Sequence, residues 1–241
     1  MKKTIASLKS FVLFLRPGLW LSFITTPLQL IVNTLKLSKW TRTKGKVAAL
    51  NDFYRPKRDY SLRYSLYEHV LLVENLRDQP IDYLEFGVAK GHSFKWWLEK
   101  NKHPDSQFFG FDTFEGLPEK WGAFMKGSMS FSVPELHDSR HEFFKGLFQD
   151  TLYHFLAKNK IKQNHRKVIH LDADLFSSTL FVLTTVHPHL TKGDLLIFDE
   201  FNVPNHEFLA FECYTKSFYV DYEMIGAVNN YLQVAIKLTK K

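Results

Sequence analysis

From about residue 60 the chain alternates between strand-like and helix-like spacing of its apolar residues, and this alternation admits few folds. "LRYSLYEHVLLVENL" (62–76) has helical spacing, and "IDYLEFG" (81–87) is an apolar run of strand length. Helical "SFKWWLEKN" (93–101) follows, then a strand "QFFGFD" (107–112), a long loop, a strand "HEFFKG" (141–146) and a helix "TLYHFLAKN" (151–159). The pattern continues with strand "KVIHLDA" (167–173), helix "SSTLFVLTTVHPHL" (177–190), strand "DLLIFDE" (194–200) and helix "HEFLAFECYTKSF" (206–218). Two last strands, "YEMIGAV" and "NYLQVAIKL", flank Asn229 as a hairpin. Strands that alternate with helices require right-handed crossovers and a parallel sheet covered on both faces. The expected fold is therefore α/β: a Rossmann-like, doubly wound, mostly parallel seven-stranded sheet with a C-terminal antiparallel hairpin. Phenylalanine is so common, at 23 of 241 residues, that the core is expected to be packed with aromatic rings.

Residues 1–58 read differently, as a basic and hydrophobic helical extension to a domain spanning 59–241. Residues 1–46 hold nine Lys and Arg and no Asp or Glu, while the rest of the chain holds 23 basic against 25 acidic residues. A nucleic-acid-binding body is disfavoured by this split, because tracking phosphates needs a basic stripe on the folded domain itself. "FVLFLRPGLWLSFITTPLQLIV" (11–32) is interrupted at Arg16-Pro17 and Pro27, so no unbroken apolar run reaches the length of a membrane-spanning helix. It is followed by "KLSKWTRTKGK" rather than a small-residue cleavage site, which argues against a signal peptide. Two readings remain. The segment lies at a membrane interface, with Trp20 and Trp40 at headgroup depth, or its helices pack on the domain or on a second subunit of a homo-oligomer. The single cysteine, Cys213, excludes an intramolecular disulfide and points to a reducing, cytoplasmic setting, with peripheral contact at the inner face of the membrane under the first reading.

In an open parallel sheet, ligands bind beyond the carboxyl ends of the strands. Polar residues collect at those ends here: Glu85 and Gly87, Asp112, Asp172 and Asp174, Asp199 and Glu200. The turn Gly87-Val-Ala-Lys-Gly91 has GxxxG spacing, not the GxGxxG of a dinucleotide fingerprint. Glycine there removes side chains where a cofactor must touch backbone. Asp112 lies 21 residues after Gly91, the distance at which an acid ending the second strand grips ribose hydroxyls. Together these features suit a nucleoside cofactor recognised by its ribose, with no pyrophosphate in the glycine turn.

"LEFGVAKGHS", "FGFDTFEGLPE", "KGLFQDTL", "HLDADLFSST" and "GDLLIFDEF", in that order, resemble the class I S-adenosylmethionine-dependent O-methyltransferases of the macrocin and mycinamicin sugar type. The resemblance covers roughly residues 60–237, and the pair "DTFEGLPE" with "LDADLFSST" carries most of its specificity. It implies that Glu85, Gly87, Gly91 and Ser93 form the cofactor turn, that Asp112 holds the ribose and that Phe114 borders the adenosine. It also implies a divalent ion, Mg²⁺, at Asp172, Asp199 and Glu200, with Asp174 as a neighbouring ligand. This chain departs from the family in having Asp199-Glu200 for an Asp-Asp pair and Phe176 for a tyrosine.

Methyl transfer from a sulfonium is an in-line displacement, and an alcohol acceptor needs activation near neutral pH. A cation held by carboxylates would polarise the acceptor hydroxyl, and Asp172 or Asp174 would take its proton. The same two acids would otherwise serve as caps for the helix beginning near Ser177. His92, His170, His187 and His189 show no ligand spacing and are read as structural. Loop 117–140, carrying Trp121 and Phe124, is long enough to be a lid over a small-molecule acceptor. The function expected is thus O-methylation of a sugar, natural-product or glycan-type hydroxyl. The competing expectations are a membrane-associated binding protein that retains the fold without transfer, and an NAD-dependent oxidoreductase.

Overall fold

The structure, a computed structural model, describes residues 2–45, 48–158 and 160–240, with side chains from residue 4 onward. Lys46, one of the nine basic residues of the leader, and Asn159, the expected end of a helix, lie outside the described residues. Two helices come first, α1 (Lys2–Leu15) and α2 (Gly18–Thr43). The body follows as β1 (Leu50–Asn51), α3 (Leu62–Val73), β2 (Ile81–Phe86), α4 (His92–Lys100), β3 (Gln107–Asp112) and β4 (His141–Lys145). It continues with α5 (Phe148–Ala157), β5 (Arg166–Leu171), α6 (Phe176–Val186), β6 (Leu195–Phe198), α7 (Glu207–Ser217), β7 (Asp221–Val228) and β8 (Gln233–Lys240).

The strands form one sheet in the order β1-β7-β8-β6-β5-β2-β3-β4. Pairing is parallel except where β8 meets β6 and β7. All seven strands read from the sequence are present, and the sheet has an eighth. Leu50 and Asn51 pair with Gly226 and Ala227, a two-residue strand too short to show any periodicity. The terminal hairpin also turns more widely than a lone Asn229 would suggest. Asn229, Asn230 and Tyr231 all take positive φ, and Asp52 accepts the backbone N–H groups of Asn229 and Asn230 at 3.0 and 3.2 Å.

Every residue of β2 is buried, as a central strand covered on both faces requires. On one face Tyr83, Phe108 and Val168 pack under α3 and α4. On the other, Leu84, Phe111, Ile169 and Phe198 pack under α5, α6 and α7. Register aligns Phe86 with Phe111 and Phe111 with Phe144. Their rings stack across the three strands at 4.8 Å spacing, at 11° and 14°. Seven of the 23 phenylalanines lie on strands, and cross-strand aromatic pairs of this kind fix the register of the sheet.

The leader splits into two unlike parts. Pro27 does not end α2, which runs unbroken for 26 residues, about 39 Å at the helical rise. A proline costs the helix one hydrogen bond and some strain, and α2 continues through it all the same. The C-terminal part of α2 docks on the body. Asn33, Leu37 and Trp40 are buried, Asn33 donates to Asn205 at 2.9 Å, and Lys36 pairs with Glu212 at 3.0 Å. Trp40, at headgroup depth under the membrane reading, is instead a core residue, as the reading that packs these helices on the domain requires. Its ring lies 4.8 Å from that of Phe201, and its Nε1 donates to the Tyr222 hydroxyl at 2.7 Å. Trp40→Ala is expected to destabilise the protein by about 3–5 kcal/mol, the usual cost of emptying a buried tryptophan site. An unchanged urea midpoint would show that the helix merely rests on the surface.

Candidate active site

The carboxyl ends of β2, β3, β5 and β6 open into a cavity of about 620 Å³. The β2–α4 turn supplies Gly87 and Ala89, the end of β3 supplies Asp112, and the segment after β5 supplies Asp172 and Asp174. Asp199 and Glu200 follow β6, and α3 adds Arg63. Loop 113–140, in which no helix forms, contributes Trp121, Phe124, Met129 and Phe131. The Trp121 and Phe124 rings stack on one another at 5.5 Å and 15°. Of the residues singled out from the sequence, Gly87, Asp112, Asp172, Asp174, Asp199 and Glu200 all line this one cavity.

One side of the cavity is organised around Asp112. Its Oδ2 accepts the Ala89 N–H at 2.7 Å and its Oδ1 accepts the Phe114 N–H at 2.7 Å. Two backbone donors hold the carboxylate in place, and each oxygen keeps a second lone pair for a ligand hydroxyl. Gly87 has φ +97°, and a Cβ added there would lie 1.8 Å from the Asp172 carbonyl oxygen. No other residue type lets the first turn and the β5 end approach so closely.

Glu85, Gly91, Ser93 and Phe114 do not line the cavity. Gly91 is the N-cap of α4, and Phe114, at φ +55°, is buried with its ring edge-on to Phe143. Glu85 is buried beneath the turn and accepts a short hydrogen bond from the Tyr83 hydroxyl. His170 Nδ1 then donates to the Tyr83 oxygen at 2.6 Å. The Tyr67 hydroxyl completes the chain, 3.2 Å from His170 Nε2 and 3.3 Å from Ser93 Oγ. These groups form a satisfied polar floor under the site, and His170 has the structural role its spacing suggested. His92 is exposed, Lys90 sits 5.1 Å over the Phe131 ring, and Phe176 begins α6 outside the cavity wall.

The other side of the cavity is dominated by negative charge. Asp174 and Glu200 are each pushed up to about 7, by burial first and then by the charge of Asp199. Asp172 is raised well above the carboxylate range by burial and by Asp199 and Asp174. Asp199 is raised by burial, opposed by the Arg63 guanidinium 3.0 Å from its Oδ2. Its Oδ1 is buried with no hydrogen-bond partner among the described residues.

The sequence did not signal two members of this group. Arg63 looks like an ordinary helical residue, because its partner Asp199 lies far along the chain. Glu207 reads as a helix-start acid, yet it is fully buried, its Oε2 accepts the Glu200 N–H at 2.9 Å and its Oε1 has no hydrogen-bond partner among the described residues. Burial raises Glu207 well above its ordinary value.

The donor set suits a hard divalent cation: carboxylate oxygens only, mutually repelling, with one buried oxygen unsatisfied. Among the described residues, no three His, Cys, Asp or Glu side chains are yet gathered into a metal-holding cluster. Arg63 instead supplies the positive charge at Asp199. Loading a cation would require the carboxylates to rotate toward a common point.

Residues 84–201 match the family model described as a methyltransferase domain. Among solved structures, the chain is similar to the calicheamicin methyltransferase CalS11, at 20% identity and a TM-score of 0.56, covering 86% of this chain and 91% of that one. It is also similar to the O-methyltransferase NovP, at 19% identity and a TM-score of 0.56, covering 89% and 99%. An apo form of CalS11, described as a TDP-rhamnose 3'-O-methyltransferase, matches at 19% identity and a TM-score of 0.52, covering 86% and 93%. At this identity the likeness is one of fold. No curated protein matches the sequence.

Proposed function

We propose that this chain, which carries a methyltransferase domain over residues 84–201, is an S-adenosylmethionine-dependent O-methyltransferase acting on a hydroxyl of a small molecule, with assistance from a divalent cation. One observation carries the reading: an open-backbone glycine turn, a backbone-held strand-end aspartate and a bank of carboxylates share a single cavity. The description of CalS11 as a sugar-nucleotide methyltransferase supports a sugar or glycan-type acceptor in the same half of the site.

Each residue then has a task. Gly87 lets the donor approach backbone, and Asp112 receives the ribose hydroxyls. Trp121, Phe124 and Phe131 give apolar surface that excludes water from the reacting centre. Asp172, Asp199 and Glu200 are the residues that would hold Mg²⁺, and such an ion lowers the pKa of a bound hydroxyl. Attack by the acceptor oxygen on the methyl carbon forms the C–O bond and releases the neutral thioether. The hydroxyl proton passes to a carboxylate. Asp174, pushed up to about 7, has the basicity that suits proton transfer near neutral pH, with Asp172 beside it.

The decisive assay follows transfer of a labelled methyl group to a panel of hydroxylated acceptors, with and without chelator. Turnover is expected to collapse in EDTA and return with Mg²⁺. The pH dependence has a definite sign. Asp174 and Glu200 carry protons below about pH 7, and a cation must displace them. Cation affinity should therefore weaken as the pH falls through about 7, by up to about tenfold per pH unit for each proton displaced. Full activity in chelator would remove the cation from the scheme. Binding of S-adenosylhomocysteine with no transfer to any acceptor would favour a binding protein, and binding of NAD instead would favour an oxidoreductase.

A further inference from the structure

The body buries its apolar surface, whereas α1 and the first part of α2 do not. Residues 4–16 are exposed throughout, and along 17–32 only Pro17 and Ile24 are half-buried. The side chains left bare are large: Phe14 is 79% exposed, Trp20 77%, Leu13 75%, Leu19 74% and Phe23 73%. Burial begins at Asn33, where α2 reaches the domain. A contiguous bare surface of this kind is not a normal feature of a soluble domain and marks a site of attachment.

We propose that α1 and residues 18–32 of α2 insert into an anionic lipid bilayer and hold the catalytic domain at its surface. Three observations select lipid as the occupant. First, α2 is long and apolar enough to cross a membrane by length and composition, and only 6% of its apolar window is buried. Second, residues 1–46 hold nine basic residues and no acidic one, the complement of an anionic surface. Third, no basic residue falls within 17–35: Lys36, Lys39, Arg42 and Lys44 lie on the domain side of that apolar stretch, and Lys2, Lys3, Lys9 and Arg16 lie before it, in α1 and the turn that follows it. The long stems of lysine and arginine can reach headgroups while the apolar residues between them are embedded. A second copy of the chain would bring an equally basic arm against this one and bury like charges together, so self-association is disfavoured.

Within α2, Ser22, Thr25, Thr26, Gln29 and Asn33 recur at helical spacing on one stripe, and Asn33 ends that stripe in its contact with Asn205. Apart from Gly18 and Pro27, the remaining circumference of residues 18–32 is leucine, isoleucine, valine, phenylalanine and tryptophan. The uncharged stripe therefore gives the arm a preferred rotation, with its apolar arc turned to lipid. This inference is independent of the proposed chemistry, since none of the arm's residues lines the cavity.

The test is vesicle flotation of the full-length protein and of a Phe14→Glu, Trp20→Glu, Phe23→Glu triple variant. All three positions are bare, so the melting temperature should be unchanged, which checks that the domain still folds. Vesicles of phosphatidylcholine with about a third phosphatidylserine should carry the wild type to the top of the gradient. The triple variant should bind at least about tenfold less, and high salt should weaken wild-type binding. Wild-type protein that stays at the bottom, or a variant that floats equally well, overturns the proposal. Failure to float together with a sedimenting dimer that the triple variant dissociates would assign the surface to a second copy.

Discussion

Asp112→Ala is expected to weaken S-adenosylhomocysteine binding about a hundredfold, close to 3 kcal/mol, because a charged acceptor of two ligand hydroxyls is removed. The substitution also strips the Ala89 and Phe114 N–H groups of their partner, so the first turn and the start of loop 113–140 lose their common anchor. Asp112→Asn separates these two effects. An asparagine can accept from only one of the two N–H groups and must turn its amide N–H₂ toward the other, so one anchor is kept and the volume is preserved. It should lose nearly as much affinity as alanine with a smaller fall in melting temperature. Calorimetric titration supplies the measurement, and an unaltered dissociation constant in both variants would show that the cofactor lies elsewhere.

Gly87→Ala should be more damaging still. The new Cβ would sit 1.8 Å from the Asp172 carbonyl oxygen, a backbone atom that cannot rotate away, and φ +97° is itself unfavourable for alanine. Relief requires the ends of β2 and β5 to separate, which dismantles the acceptor wall and the cofactor turn together. A loss of more than about 4 kcal/mol in stability is expected, in the range reserved for steric conflict in packed structure. Gly91→Ala is the internal comparison. Its Cβ would meet Pro134 Cγ at 2.8 Å, a side-chain atom on loop 113–140 that can shift. A modest loss of about 1–2 kcal/mol is expected there from the left-handed backbone alone. Equal denaturation midpoints for the two variants would refute the steric account.

The sheet and its acidic edge were legible because both follow from local rules. Apolar runs such as 81–86 declare buried strands, and strand ends point to one side in a parallel sheet. Asp112, Asp172 and Asp199 could therefore be placed on a common rim without coordinates. What escaped depends on distant partners. Glu85 and Ser93 share the turn's sequence but face the floor, where Tyr83, His170 and Tyr67 engage them. Strand-end position alone does not fix which way such a side chain turns. Pro27 was read as a break, since a single proline weighs heavily in a local window and lightly in a helix of 26 residues. Trp40 looked amphipathic for the same reason: the pocket of Phe201, Phe208 and Tyr231 that encloses it is contributed from the far end of the chain.

The position of α3 has a mechanical consequence. Arg63 and Tyr67 lie one turn apart on that helix, Arg63 against Asp199 and Tyr67 against His170 and Ser93. The helix thus works as a crossbar with one foot among the carboxylates and the other on the polar floor beneath the glycine turn. A cation that drew Asp199 away from Arg63 would unload one foot while the other stayed fixed. Filling one side of the cavity would then alter the strain felt on the other, the physical condition for two ligands to load in order.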